Sequence, residues 1–202
     1  WDIGANIGIY SIYAATKHDF LKRIIAFEPS TSNLNLLSRN ISINNLSDKI
    51  FIYNQPLTNK NNVFQAMNES IREEGGSMSA FGVGHDHKGE KFESKIRYKI
   101  MGNSINYILK NEILDFPNYI KIDVDGIEHL ILEGADIFLK DSRIKEIQVE
   151  INENFSDQQE RVSNLLNSSN FKFKQKKAAN VFNVKNSKFS NTFNYLYEKK
   201  HS

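Results

Sequence analysis

A glycine-rich turn near the start of the chain, Asp2-Ile3-Gly4-Ala5-Asn6-Ile7-Gly8, limits the folds that are open to this sequence. The turn lies between the end of an apolar strand and a predicted helix over residues 9–17, and glycines there let the backbone turn tightly and approach a ligand. Glu28 ends the next predicted strand, where an acid can accept hydrogen bonds from both hydroxyls of a ribose. Together the two features predict a nucleoside-containing ligand at the edge of an α/β sheet.

The rest of the chain alternates between strand and helix patterns, which is typical of a mostly parallel sheet with helices on both faces. We therefore predict a doubly wound α/β fold and a single domain over residues 1–202, because 202 residues suit one core. The sequence opens at the end of what should be a buried strand, so the first strand looks truncated and the chain looks like part of a longer one. The predicted strands cover residues 24–27, 50–53, 119–122, 144–151, 171–174 and 192–197, and the predicted helices cover residues 9–17, about 31–44, 105–109, 127–139 and 157–166.

Residues 59–97 break this pattern, because they hold five glycines, many polar residues and few aliphatic ones. We predict an irregular insertion there that acts as a substrate lid and could end in a hairpin. Within it, His85-Asp86-His87 could bind a metal ion, but histidines in a glycine-rich loop are more often solvated. We therefore predict no metal site.

The composition argues against several classes of function. A net charge of +2 gives no basic surface for nucleic acid, so we expect no nucleic-acid partner. The absence of cysteine excludes disulfides, thiolate zinc sites and cysteine nucleophiles, and it is compatible with a reducing cytosol. We accordingly expect a cytoplasmic protein. No apolar run approaches the ~20 residues that span a bilayer, so we expect no membrane span.

Two details of the turn favour S-adenosylmethionine over a dinucleotide. The dinucleotide fingerprint ends in Gly-x-x-Gly, which seats a pyrophosphate at a helix N-terminus, whereas this turn reads Gly-x-Asn-x-Gly. Asp2, just before the turn, would repel a pyrophosphate but attract the ammonium and sulfonium groups of S-adenosylmethionine. Two alternatives stay open: a nicotinamide-dependent oxidoreductase, and a catalytically silent binding domain that keeps the fold.

Three ordered motifs in the chain resemble the FkbM family of methyltransferases. They are Asp2–Gly8, Ala26–Pro29 and Tyr119–Glu128, and the last is followed by Leu132-Glu133-Gly134-Ala135. The strand Ile147–Glu150 is similar to a later acidic strand end of that family. The likeness runs from Trp1 to about Glu153, with Asp125 where the family more often has Glu.

This resemblance implies a class I methyltransferase fold, with a seven-stranded sheet whose last strand is antiparallel. It also implies S-adenosylmethionine-dependent O-methylation, with a hydroxyl of a sugar, glycan or natural product as the acceptor. The residues that we expect to bind the cofactor are Asp2, Gly4, Asn6, Gly8, Glu28, Pro29 and Asp123.

A second group of charged residues is expected to act on the acceptor. The resemblance implies that the strand ending at Asp2 lies beside the one ending at Asp123, so Asp123 would lie near the transferred methyl group. A hydroxyl acceptor must lose its proton as the new bond forms, and we predict that Asp123 orients or deprotonates it, with Glu150 as the other candidate. Lys121 faces the same side of the strand as Asp123, where it could keep that carboxylate ionised or contact a substrate oxygen. A Mg²⁺ ion held by Asp123, Asp125 and Glu150 is conceivable, but the sequence does not require it.

Overall fold

The computed structural model describes residues 1–69, 75–76, 79–83, 94–178 and 191–200. The strands are β1 (Asp2–Ile3), β2 (Ile24–Phe27), β3 (Ile50–Tyr53), β4 (Val63–Glu69), β5 (Ser79–Phe81), β6 (Ile96–Gly102), β7 (Tyr119–Ile122), β8 (Glu146–Asn152), β9 (Phe171–Ala178) and β10 (Thr192–Lys199). The helices are α1 (Ile9–Lys17), α2 (Thr31–Ile43), α3 (Ile105–Lys110), α4 (Glu128–Glu133) and α5 (Ser156–Ser168).

Seven of these strands form one sheet in the order β3-β2-β1-β7-β8-β10-β9. β1 lies parallel between β2 and β7, and β8 is parallel to β7. Only β10 runs the other way, antiparallel to both β8 and β9. The doubly wound, mostly parallel sheet with an antiparallel last strand is therefore confirmed, and so is the expected neighbourhood of β1 and β7.

Helices cover both faces of the sheet because the buried strands carry apolar side chains on both sides. In β2, Ile24 and Ala26 pack in a cluster with residues of α1 and α2. The alternate residues, Ile25 and Phe27, pack in the larger cluster with residues of α3, α4 and α5. The carboxyl ends of the parallel strands all lie at one edge of the sheet. The loops that follow the strands at that edge can hold a ligand.

The expected irregular segment instead contains a three-stranded antiparallel sheet, in the order β5-β4-β6. β4 pairs with β6 from Val63↔Gly102 to Glu69↔Ile96, and with β5 from Met67↔Phe81 to Glu69↔Ser79. Polar residues on β4 obscure the strand pattern in the sequence. The described residues of this segment are therefore more regular than expected, since their strand pairing extends beyond a hairpin at its end, and the role as a lid stays a prediction.

The helix predicted over residues 127–139 is also shorter in the structure, since α4 ends at Glu133 and a 3-10 turn follows at Phe138–Lys140. Gly134 ends α4 at a close approach to a neighbouring loop, where an added Cβ would lie 2.3 Å from the carbonyl oxygen of Thr58. No helix among the described residues has both the length and the apolar character needed to cross a membrane.

Candidate functional site

A cleft opens at the carboxyl ends of β1, β2 and β7, with about 570 Å³ of empty space that is partly open to solvent. One side is polar and is formed by the loops after these three strands. The other side is apolar and includes residues of the small sheet. Its lining residues are Ile3, Gly4, Asn6, Phe27, Glu28, Pro29, Asn33, Gln55, Pro56, Leu57, Met67, Gly76, Ser79, Phe81, Asp123, Val124, Asp125, Ile127 and Ile131.

Glu28 is a cleft carboxylate that is held at both of its oxygens. One of its oxygens accepts a hydrogen bond from the backbone N–H of Asn6 at 2.7 Å, and the other accepts one from the N–H of Ser30 at 2.8 Å. Burial raises the pKa of Glu28 to about 7, although these two N–H groups act in the opposite direction. Each oxygen has a second lone pair, so the side chain can still accept hydrogen bonds from a ligand.

The glycine-rich turn is positioned by two close approaches. The backbone N–H groups of Gly4 and Ala5 both donate to the carbonyl of Phe27, at 3.0 and 2.9 Å, which ties the turn to the end of β2. Gly4 has a φ of +83°, and an added Cβ would lie 1.8 Å from the carbonyl oxygen of Asp123. Gly8 packs on Leu37 of α2 at the start of α1, outside the cleft lining.

Lys121 lies outside the cleft lining, next to the ring of Tyr10 in α1 and between two carboxylates. Its Nζ is 3.0 Å from Asp123 Oδ2 and 3.6 Å from Asp2 Oδ1. Burial alone would lower the pKa of Lys121, but the charges of Asp123 and Asp2 outweigh it, so the pKa is raised. The ammonium therefore stays charged and balances the two carboxylates.

Asp2 is buried and does not line the cleft. Its Oδ2 accepts a hydrogen bond from Ser11 Oγ at 2.7 Å, while Oδ1 has no hydrogen-bond partner among the described residues. The cation that Oδ1 faces is the ammonium of Lys121, at 3.6 Å.

Glu150 approaches Asp123 from the neighbouring strand β8. Burial raises the pKa of Glu150, and the nearby charge of Asp123 and a hydrogen bond with Asp123 raise it further. Glu150 therefore keeps its proton to a higher pH than an ordinary glutamate. Neither Glu150 nor Lys121 lines the cleft, so both can influence a bound ligand only by acting on Asp123.

Glu128 organises the loop that carries Asp123. Its carboxylate accepts hydrogen bonds from the backbone N–H groups of Val124 and Gly126, at 3.0 to 3.3 Å, and from the side-chain amide of Gln158. It does not line the cleft and is only 2% exposed. An acid at the start of a helix is favoured by the helix dipole alone, but here it also fixes the conformation of residues 123–126.

We expect Glu128→Ala to lower the free energy of unfolding by about 3 kcal/mol, because it leaves buried N–H groups without acceptors. Glu128→Gln keeps an acceptor and should be much milder.

Burial raises the pKa of Glu128 from 4.5 to about 7, so wild-type stability falls as pH rises through this window. The free energy of unfolding, measured with denaturant, should fall between pH 5 and pH 8 in wild type. The fall should be smaller by about 2 kcal/mol in Glu128→Gln. An equal pH dependence in the two proteins would contradict the raised pKa.

The structure brings together five of the residues predicted from the sequence, and they line one cleft: Gly4, Asn6, Glu28, Pro29 and Asp123. Sequence reasoning missed Asn33, Gln55 and Met67, and it placed Gly76 and Phe81 only in the expected lid and not in the cofactor site. His85 and His87, which the sequence analysis weighed as metal ligands and set aside, lie outside the described residues. Among the described residues, no group of three or more acidic or histidine side chains could hold a metal ion.

Solved methyltransferase structures share this fold. A methyltransferase FkbM from Methylobacillus flagellatus KT matches 98% of this chain with a TM-score of 0.56 and 18% identity, and the match covers 42% of that protein. An rRNA methylase from Streptococcus thermophilus matches 99% of the chain with a TM-score of 0.54 and 13% identity, over 85% of its own length. A precorrin-6y C5,15-methyltransferase from Geobacter metallireducens matches the whole chain with a TM-score of 0.51 and 15% identity, over 78% of its length. At these identities the likeness shows the fold alone.

Sequence comparisons are more specific. The chain is 26% identical to the methyltransferase sdnD of Sordaria araneosa over 155 residues, which make up 67% of this chain and 59% of that protein. The chain thus spans less than two thirds of this relative. The sequence profile of the methyltransferase FkbM domain matches residues 2–192. The predicted resemblance is confirmed, and the chain belongs to the FkbM methyltransferase domain family.

Proposed function

We propose that this domain binds S-adenosylmethionine in the cleft and methylates a hydroxyl oxygen of a sugar, glycan or natural product. The observation that carries the proposal is the charge of the cleft: Glu28, Asp123 and Asp125 line it, and none of the lining residues among those described is a lysine, arginine or histidine. This charge suits a ligand with a cationic sulfonium and an ammonium group. It is unfavourable for a pyrophosphate, so it speaks against a nicotinamide dinucleotide.

The residues present fit the proposed cofactor. The free lone pairs of Glu28 can accept hydrogen bonds from two ribose hydroxyls, and the apolar side of the cleft, with Leu57, Met67 and Phe81, can pack against an adenine ring. Asp2 does not line the cleft, so its proposed contribution is to the negative potential below the cofactor and not a direct contact. When bound, S-adenosylmethionine supplies an electrophilic methyl group on a positively charged sulfur.

Asp123 is proposed to accept the proton of the acceptor hydroxyl. Its carboxylate is one third exposed at the cleft, and Lys121 holds it at 3.0 Å. With the cofactor bound, its carbon–sulfur bond would supply the methyl group to the acceptor oxygen, and Asp123 would take up the hydroxyl proton that this oxygen loses. Positioning the acceptor in line with that bond would supply much of the acceleration.

Calorimetry with S-adenosylhomocysteine and with NAD tests the cofactor assignment. We expect the first ligand to bind and the second not to bind. Glu28→Ala should weaken the binding of S-adenosylhomocysteine by on the order of 100-fold, because it removes two hydrogen bonds to a charged group. Asp125→Asn removes one negative charge from the same cleft and leaves Glu28 intact, so it controls for charge alone.

Binding of NAD, or equal affinity in wild type and Glu28→Ala, would overturn the assignment, and binding of neither ligand would favour a silent domain. A methyl-transfer assay against a panel of hydroxylated small molecules and glycans, read by mass shift, tests the acceptor class. The same panel should include amine acceptors and RNA, since methylation of either in preference to every hydroxyl compound would refute O-methylation. A cytoplasmic location stays a prediction from the sequence.

A further inference from the structure

Asn33 lies in the first turn of α2, and its side chain binds a distant piece of backbone at two points. Its Oδ1 accepts a hydrogen bond from the N–H of Gly75 at 2.9 Å, and its Nδ2 donates to the carbonyl of Gly76 at 3.2 Å. Asn33 is only 3% exposed. A buried amide is costly unless both of its ends are bonded, and here both ends are used on one dipeptide.

The carbonyl of Gly76 is held from a second direction by the glycine-rich turn. Asn6 Nδ2 donates to it at 3.1 Å, so both lone pairs of this oxygen are used. The backbone N–H of Asn6 at the same time donates to Glu28. Gly76, Asn6, Asn33 and Glu28 all line the cleft, so the dipeptide is held beside the carboxylate that we assign to the ribose.

Glycine at position 75 suits this arrangement. Gly75 has a φ of +80°, a conformation that other residues rarely adopt, and an added Cβ would meet only side-chain carbons of Ile7, at 3.6 and 4.0 Å. The dipeptide therefore presents backbone alone to the cleft. Among the described residues, Asn33 and Asn6 donate to or accept from this dipeptide, and their side chains reach it from α2 and from the glycine-rich turn.

We propose that Asn33 is a positioning residue of the cofactor site, which holds Gly75–Gly76 as a wall at the ribose end of the cleft and so slows release of the bound cofactor. This inference rests on the proposed function, because it assigns the ribose to Glu28. Asn33 acts through the Gly76 backbone and has no chemical role in methyl transfer.

Two measurements on three variants test this role. Asn33→Ala removes both hydrogen bonds, Asn33→Asp keeps the acceptor for Gly75 but loses the donor to Gly76, and Asn44→Ala is the matched control. Asn44 is exposed at the end of the same helix, and its side chain donates to the carbonyl of Asn40, one turn back on that helix. The first measurement is hydrogen exchange at the Gly75 amide in the ligand-free protein. The second is the dissociation rate of S-adenosylhomocysteine at a temperature where all variants are folded.

We expect the Gly75 amide to exchange at least about tenfold faster in Asn33→Ala, and S-adenosylhomocysteine to dissociate about tenfold faster. Asn33→Asp should exchange close to the wild-type rate but release the ligand at an intermediate rate, while Asn44→Ala should match wild type in both. A purely structural role would change the melting temperature and leave the dissociation rate unchanged.

The possible failures are distinguishable. Unchanged exchange at Gly75 in Asn33→Ala would refute the contact itself, whether or not a ligand binds. Faster exchange with unchanged release of S-adenosylhomocysteine would refute the effect on the cofactor. No binding of S-adenosylhomocysteine by wild type would refute the proposed function, and the role in cofactor release with it.

Discussion

Gly4→Ala is expected to lower the free energy of unfolding by about 3–5 kcal/mol, the largest stability effect of any single substitution considered for this fold. Two independent causes act at this position. A φ of +83° is strained for any residue with a Cβ, and that Cβ would lie 1.8 Å from the carbonyl oxygen of Asp123 and 3.0 Å from Val124 Cγ1. The loops after β1 and β7 must therefore separate, which would also widen the cleft between them.

Substitutions at two other glycines separate the effect of backbone strain from the effect of the steric clash. Gly75 has a φ of +80° but an added Cβ would make only ordinary contacts, so Gly75→Ala measures backbone strain alone, about 1–2 kcal/mol. Gly134 has a φ of −69°, but its Cβ would lie 2.3 Å from the carbonyl of Thr58, so Gly134→Ala measures a steric clash alone, about 2 kcal/mol. Denaturant unfolding of the three variants is the measurement. A loss in Gly4→Ala no greater than that in Gly75→Ala would show that the Asp123 loop moves aside freely.

The main sheet could be predicted from the sequence because its strands are short apolar runs that end in turn residues. Residues 24–27 are all apolar, and residues 119–122 are apolar or aromatic except for Lys121. The structure has strands at the same positions. The small sheet was missed because β4 mixes Gln65, Asn68 and Glu69 with its apolar residues. A signal was present in β6, where Ile96, Tyr98 and Ile100 are half-buried and alternate with exposed side chains.

Part of the candidate site could be predicted because its residues follow strands directly. Glu28 and Asp123 each end a strand of the parallel sheet, and parallel strands meet at one edge. Asn33 could not be found in this way, because its function depends on Gly75 and Gly76, which come more than 40 residues later. The contacts of Glu69 also depend on residues that are distant in the sequence. Glu69 is buried at the end of β4 and accepts a hydrogen bond from Tyr98, whose hydroxyl also reaches the carbonyl of Pro29.

Asp123→Asn is expected to reduce the turnover number by on the order of 10²–10³, with the affinity for S-adenosylhomocysteine within about threefold of wild type. The amide keeps the shape of the side chain and one acceptor oxygen, but it cannot take the proton of the acceptor hydroxyl. The fold should tolerate the change, because Lys121 still has Asp2 at 3.6 Å as a partner for its charge. The measurement is single-turnover methyl transfer to an acceptor identified by the mass-shift panel, beside calorimetry with S-adenosylhomocysteine.

Asp125→Asn provides the matched control, since it makes the same chemical change two residues away in the same cleft. Asp125 accepts a hydrogen bond from the N–H of Ser79 at 3.4 Å, and an amide oxygen can accept it equally well. We expect its turnover within about threefold of wild type, because general-base catalysis depends on the one carboxylate that reaches the acceptor proton. Equal losses of turnover in the two variants would mean that turnover depends on the negative charge of the cleft and not on proton transfer to Asp123. Full turnover in Asp123→Asn would transfer the role to another group, with Glu150 as the next residue to substitute, because the charge of Asp123 is close enough to raise the pKa of Glu150.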